Sequence, residues 1–203
     1  MGLRHAYTVW APVYDLAIEA ATRRIRRESL ARLESPPGTR ILLDGVGTGL
    51  DLPWVPAHVE VVGLDLTRAM LRRAQQRSRR RGGVTDLVRG DAHVLPFADA
   101  AFDAVVMHLI LAVVPEPSAA LAEAVRVTAP GGRIVILDKF LRPGRRAPLR
   151  RLVSGVTRHL ATRTDVVFES VLEAVPGVEL VCDEPVLGGG WFRRIELRRA
   201  PAA

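Results

Sequence analysis

Between Asp44 and Asp51 the chain reads Asp-Gly-Val-Gly-Thr-Gly-Leu-Asp, three spaced glycines flanked by carboxylates. Glycines at 45, 47 and 49 let a backbone turn tightly and approach a ligand closely. A helix starting after Gly49 would aim its free N–H groups at anionic ligand atoms. Asp65 ends an apolar run 16 positions after Gly49, where a carboxylate can accept hydrogen bonds from two ribose hydroxyls. Asp91, in Gly90-Asp91-Ala92, adds a further carboxylate, with a turn-forming role as the alternative reading. Together these residues suggest the holding of a nucleoside. The dinucleotide fingerprint G-x-G-x-x-G/A is not met, because Leu50 follows Gly49 in a G-x-G-x-G run. A phosphate-cradling P-loop needs a lysine, and Lys139 is the only lysine in the chain. A cofactor with an adenosine but no pyrophosphate fits better.

Other reactive side chains are few. His108 lies near the end of an apolar run, and Asp138 and Lys139 end another. They are candidates for the site, with a core histidine and solvated strand-end charges as the alternatives. Tyr7, Trp10 and Tyr14 gather near the N-terminus, where aromatic faces can hold a methylated ammonium or anchor a helix. Cys182 stands alone, which argues against a disulfide framework or a cysteine-built metal site. His5, His58, His93 and His159 show no metal-ligand spacing.

These residues need elements to position them. The apolar runs Arg40–Asp44, His58–Asp65, Leu87–Asp91, Phe102–Leu111 and Arg133–Phe140 read as buried strands. Helical spacing marks Tyr14–Leu33, Thr67–Arg81 and Ser118–Thr128. Strands alternating with helices predict an α/β fold with a parallel sheet covered on both faces. A basic helix over Ala147–Ala161, a helix over Val166–Val175 and strands over Val178–Cys182 and Trp191–Leu197 complete the reading. With 203 residues, 48% of them hydrophobic and 25% charged, the chain has the balance of one globular domain. The longest apolar run, Ala104–Val114, is 11 residues, against about 20 for a bilayer span. The net charge of +7 favours anionic partners such as nucleic acid or lipid headgroups. Nucleic acid is not expected, because the run Arg72, Arg73, Arg77, Arg79, Arg80 and Arg81 has no stacking aromatics within it.

Four stretches carry a family resemblance: Ile41–Gly49 (ILLDGVGTG), Val61–Asp65 (VVGLD), Gly90–Val106 (GDAHVLPFADAAFDAVV) and Ala129–Asp138 (APGGRIVILD). In this order and spacing they resemble the class I S-adenosylmethionine-dependent methyltransferases. The resemblance implies a Rossmann-like, seven-stranded, mostly parallel sheet with one antiparallel strand in a C-terminal pair, and S-adenosyl-L-methionine as cofactor. It places Gly45, Gly47 and Gly49 at the methionine and ribose end, Asp65 on the ribose and Leu66 beside the adenine; Asp44 and Thr48, in the same loop, are further cofactor-binding candidates. Asp91 would meet the adenine amino group, flanked by Ala92; Tyr7 and His108 are further cofactor-binding candidates from their own positions. Tyr14, His108, Asp138 and Lys139 are the catalytic candidates.

Ala6–Asp15 (AYTVWAPVYD) is similar to the N-terminal helix of the subgroup holding quinone C-methyltransferases and phosphatidylethanolamine N-methyltransferases. Val46–Pro56 and Phe192–Arg199 lean towards the phospholipid branch. The implied organisation is a single domain: an N-terminal helix and lid over 1–36, a cofactor-binding core over 37–140, and a basic insertion with C-terminal strands over 141–203. The implied activity is N-methylation of a phospholipid amine or similar amphiphile. C-methylation of a quinone precursor, or methylation of another small molecule, is the alternative. One departure stands out: the family's acidic residue two places before the first glycine is Leu43 here, and Asp44 takes the usual apolar place. That keeps a non-catalytic cofactor-binding domain open. The helix 14–33, with Arg23, Arg24, Arg26, Arg27 and Arg32, and the basic insertion suggest docking on an anionic membrane surface; the alternative is that both apolar faces pack on the sheet and the arginines only solvate the outer face. The expected location is cytoplasmic, peripheral on the inner face of the membrane.

Overall fold

Apolar runs too short for helices, bounded by glycine or proline, become parallel strands. The computed structural model describes residues 22–33, 35–141 and 166–201. Its strands are β1 (Arg40–Asp44), β2 (Glu60–Asp65), β3 (Thr85–Arg89), β4 (Phe102–His108), β5 (Thr128–Lys139), β6 (Val178–Leu187) and β7 (Phe192–Arg199). They form one seven-stranded sheet in the order β3-β2-β1-β4-β5-β7-β6. β1 to β5 pair in parallel, whereas β7 runs antiparallel to both β5 and β6. This is the mostly parallel arrangement that the motifs imply.

Side-chain alternation along the strands feeds two cores. Ile41, Leu43, Val61, Ala104, Val106 and Val135 pack with Leu30, Leu33, Leu52 and Ala74. That face carries α1 (described over 22–31) and α2 (Arg68–Arg81). Leu42, Val62, Val105, Met107, Ile134 and Ile136 face the other way, onto α3 (Pro117–Val127) and α4 (Phe168–Glu173).

Several expected boundaries move. β4 stops at His108 rather than Leu111, because Leu109 turns to φ 60° and donates its N–H to the Leu137 carbonyl at 2.8 Å. β5 starts at Thr128 rather than Arg133: Pro130-Gly131-Gly132, read as a turn, forms an irregularity inside the strand where the pairing with Phe102 and Ala104 slips. β6 runs on to Leu187 instead of ending at Cys182. No full helix follows Gly49. A single 3-10 turn, Leu52–Trp54, takes that place, with the Leu52 N–H donated to the Gly49 carbonyl. The expected helix N-terminus facing the ligand is therefore absent. Tyr7, Trp10, Tyr14 and the basic helix over Ala147–Ala161 lie outside the described residues. No described helix is long and apolar enough to cross a membrane.

Candidate functional site

The carboxyl ends of β1, β2 and β4 converge with the glycine loop at one edge of the sheet. Register brings Asp44 beside Leu64 and Asp65 beside Arg89, so the loop leaving β1 folds over the end of β2. Val46 donates its N–H to the Leu64 carbonyl at 2.8 Å, and Gly47 donates its N–H to Asp65 Oδ2 at 3.0 Å. The Thr67 N–H and hydroxyl both bond Asp65 Oδ1, at 2.8 and 2.9 Å. Three donors thus fix a carboxylate that is still partly exposed, leaving acceptor capacity for hydroxyls from outside.

Gly49 sits at φ +83°, and a Cβ there would lie 2.8 Å from Leu52 Cδ1 and 3.0 Å from Ala74 Cα. Gly49→Ala is expected to destabilise the fold by about 1–3 kcal/mol through backbone strain and this clash. An unchanged midpoint in urea denaturation would show that the loop relaxes freely. At Gly47 a Cβ would meet nothing closer than the Gly45 carbonyl at 3.9 Å. That glycine borders open space.

Leu66, beside Asp65, is 55% exposed, an apolar surface with no core to fill. Asp91 Oδ1 accepts the His93 N–H at 2.9 Å and faces the His93 Nδ1 at 2.7 Å. These bonds, the backbone one foremost, hold Asp91 below the usual carboxylate range. The turn-forming role is real, and the side chain stays exposed. Ala92 points its methyl into the core on the α3 side. Thr48 is buried, and its carbonyl accepts from Arg77 Nη1 at 2.6 Å.

Asp44 is the anomaly. It is 1% exposed, and neither carboxylate oxygen has a hydrogen-bond partner among the described residues. Burial, followed by the negative fields of Asp65, Asp91 and Glu123, pushes its pKa up to about 7, against a weaker pull from the Gly45 amide. Buried polar groups are almost always paired, so an orphaned anion at a ligand edge asks for a cationic partner. A cofactor carrying an ammonium and a sulfonium beside a ribose and a purine fits this set. The set offers a buried unpartnered carboxylate at Asp44, a partly exposed one at Asp65, an exposed apolar side chain at Leu66 and open space at Gly47.

His108 departs from expectation. Instead of facing the crevice, it follows Ala104 and Val106 onto the α1 face, with its side chain 1% exposed. Its Nδ1 meets Asp51 Oδ1 at 2.9 Å and its Nε2 meets Ser29 Oγ at 3.0 Å. Asp51 also accepts from Arg26 Nη1 at 2.7 Å, and Arg26 Nε donates to Thr22 at 3.0 Å. Arg26, expected on the solvated face of the helix, is therefore buried. The sequence reading assigned no role to Asp51 or Ser29. Both ring nitrogens of His108 are engaged, so its role here is to hold the end of β4 to α1.

Asp138 is fully buried; its Oδ2 accepts the Ala112 N–H at 2.9 Å and its Oδ1 the Lys139 N–H at 2.7 Å. Burial raises its pKa to about 6. It secures the chain leaving β4 and does not present itself to a ligand. Lys139 is half-buried, with Nζ 5.9 Å from the Phe192 ring centroid. Burial lowers its pKa, against the opposing field of Asp138.

Residues 43–136 match the family model described as "Methyltransferase domain". The chain is 34% identical over 197 residues to the phosphatidylethanolamine N-methyltransferase of Cereibacter sphaeroides, covering 96% of each protein. It is 41% identical over 133 residues to a demethylmenaquinone methyltransferase of Renibacterium salmoninarum, covering 63% of this chain and 54% of that one. Among solved structures, geranyl diphosphate C-methyltransferase from Streptomyces coelicolor, in complex with S-adenosyl-L-homocysteine, aligns with a TM-score of 0.72 at 17% identity. That match covers 90% of this chain and 76% of the other; at this identity the likeness is one of fold.

Proposed function

We propose that this chain, which belongs to the class I S-adenosylmethionine-dependent methyltransferases, methylates the amine headgroup of a phospholipid. The observation that carries the reading is the end-to-end correspondence with a phosphatidylethanolamine N-methyltransferase, 96% of both chains. The match to a demethylmenaquinone methyltransferase covers 63% of this chain. Its identity is the higher of the two, which keeps quinone C-methylation as the second reading.

When bound, the cofactor supplies an electrophilic methyl on a sulfonium. The chain's own work is to bind, orient and desolvate. Asp65, already fixed by Gly47 and Thr67, would take the ribose hydroxyls, and Leu66 would lie along the adenine with Asp91 at its amino group. Asp44 would face the ammonium of the methionine end, and the loop Gly45–Gly49 would enclose it. An amine acceptor attacks only as the free base. Lys139, an amine whose pKa burial already lowers, marks the end of β5 as ground that disfavours an ammonium. A headgroup amine seated nearby would feel the same desolvation and lose its proton more readily. On the outer face of α1, Arg23 and Arg27 are exposed beside Arg24, which pairs with Glu28 at 2.8 Å. This surface supports an approach to anionic lipid, and Arg26, buried against Asp51, is not part of it.

The test is transfer of labelled methyl from S-adenosyl-L-methionine into a total lipid extract, with products separated into headgroup and quinone fractions. Label is expected in N-methylated derivatives of phosphatidylethanolamine. Label confined to the quinone fraction would replace this acceptor with the second reading, and label in neither would remove both.

A further inference from the structure

Beneath the glycine loop, between α1 and α2, lies a cavity of about 130 Å³ lined by Arg23, Arg26, Leu50, Pro53, Trp54 and Arg77. That is room for about four water molecules at liquid volume, or a group of phosphate size. It lies on the α1/α2 face, below the edge where Asp44 and Asp65 stand. Three guanidiniums share its walls, each held in place by a different means. Arg26 is anchored through Nη1 to Asp51 and through Nε to Thr22, with its side chain 7% exposed. Its remaining nitrogen, Nη2, has no partner among the described residues. Arg23 lies over Trp54, 5.5 Å from the ring centroid; a cation–π contact orients a guanidinium without neutralising it. No carboxylate pairs with Arg23 among the described residues. Arg77 Nη1 donates to the Thr48 carbonyl at 2.6 Å, tying this wall to the cofactor loop.

Fork-shaped donors fixed around a small concave space suit a tetrahedral oxyanion. Leu50, Pro53 and Trp54 supply the apolar part of the lining. We propose that this cavity is a phosphate-ester site, separate from the methyl-transfer crevice, with Arg23, Arg26 and Arg77 as its donors. It stands whichever acceptor the crevice takes. The ester is either a small soluble phosphate or the phosphate of a lipid headgroup, and one experiment separates the two.

Isothermal titration of the cofactor-free protein with sn-glycerol 3-phosphate is the first arm, and flotation with phosphatidylglycerol vesicles is the second. The variants are Arg23→Gln, which removes an exposed donor without touching the core, and Leu50→Glu, which places a carboxylate in the cavity. Saturable binding of glycerol 3-phosphate, weakened at least tenfold in both variants and by added salt, would establish the soluble form. Binding to phosphatidylglycerol vesicles that is lost in both variants but kept in Arg27→Gln, which changes the outer face of α1 and not the cavity, while glycerol 3-phosphate gives no signal, would establish the lipid form; equal loss in Arg27→Gln would assign the binding to that outer face and overturn it. The proposal is overturned if neither ligand binds, or if Leu50→Glu binds as well as the parent protein. Neither arm requires methyl transfer, so failure of the acceptor assignment leaves this result readable.

Discussion

Asp51→Ala is expected to destabilise the protein by about 3–5 kcal/mol, because it strands a buried guanidinium and a buried imidazole without their shared acceptor. Arg26 and Asp51 side chains are each 7% exposed, and His108 is 1% exposed. Solvent cannot replace what the substitution removes. Asp51→Asn keeps an acceptor oxygen and is expected to lose less. The double variant Arg26→Met/Asp51→Leu is expected to recover only part of the loss: apolar residues of similar volume commonly replace a buried ion pair at little cost, but the His108 Nδ1 still loses its partner.

The pH dependence follows from the same contacts. Burial alone would push the Asp51 carboxyl up, but Arg26 and His108 outweigh it and hold the group well below the usual carboxylate range. A depressed folded-state pKa means stability present above the unfolded value, about 3.9, and lost as pH falls through the folded one. The parent protein should therefore weaken on acidification below about pH 4, and Asp51→Asn should flatten that limb. Urea midpoints across pH check both statements. A loss below about 1 kcal/mol for Asp51→Ala, the level of a surface pair, would show that the network is solvated.

The network was hard to read for a definable reason. Thr22, Ile25, Arg26, Ser29 and Leu33 fall at helical spacing and are all buried, so Arg26 lies on the inward stripe of α1. Helical periodicity alone grouped it with its exposed neighbours Arg23, Arg24 and Arg27. A charge on an apolar stripe is itself the signal, because it demands a buried partner, and Asp51 was the loop carboxylate without an assigned task. His108 was misplaced for a related reason. Strand alternation puts it on one face with Ala104 and Val106, but which face meets the crevice depends on where α1 packs. β6 was under-read because Asp183, Glu184 and Pro185 look unlike a strand. It is the edge of the sheet, where charges and proline are tolerated. RILLD and VVGLD were legible because buried parallel strands are continuously apolar. Asp65 was legible because it ends such a run.

Asp44→Asn is expected to give two effects of opposite sign: a more stable cofactor-free protein at pH 8, and cofactor binding weakened about 10–100-fold. The stability effect comes from the orphaned carboxylate. Its folded-state pKa of about 7 lies above the unfolded value near 3.9, so its contribution falls as pH rises between those values and stays low beyond them. Asparagine has no charge to bury, and its benefit should be seen at pH 8 and nearly vanish at pH 4. The binding effect comes from the charge that asparagine cannot supply. Opposite a cationic ligand the Asp44 proton is expelled, so below pH 7 cofactor binding by the parent protein should release up to one proton. Its affinity should rise with pH up to about 7 and level off above. Calorimetry in buffers of different ionisation enthalpy counts that proton directly, and Asp44→Asn should abolish both the release and the slope. The Leu43/Asp44 displacement predicts this behaviour physically. An acid moved by one strand position changes face, and at position 44 it takes a buried place beside Asp65, Asp91 and Glu123. If Asp44→Asn binds cofactor with parental affinity at pH 8, the carboxylate is a core anomaly, and the methionine end must be held by the loop backbone alone.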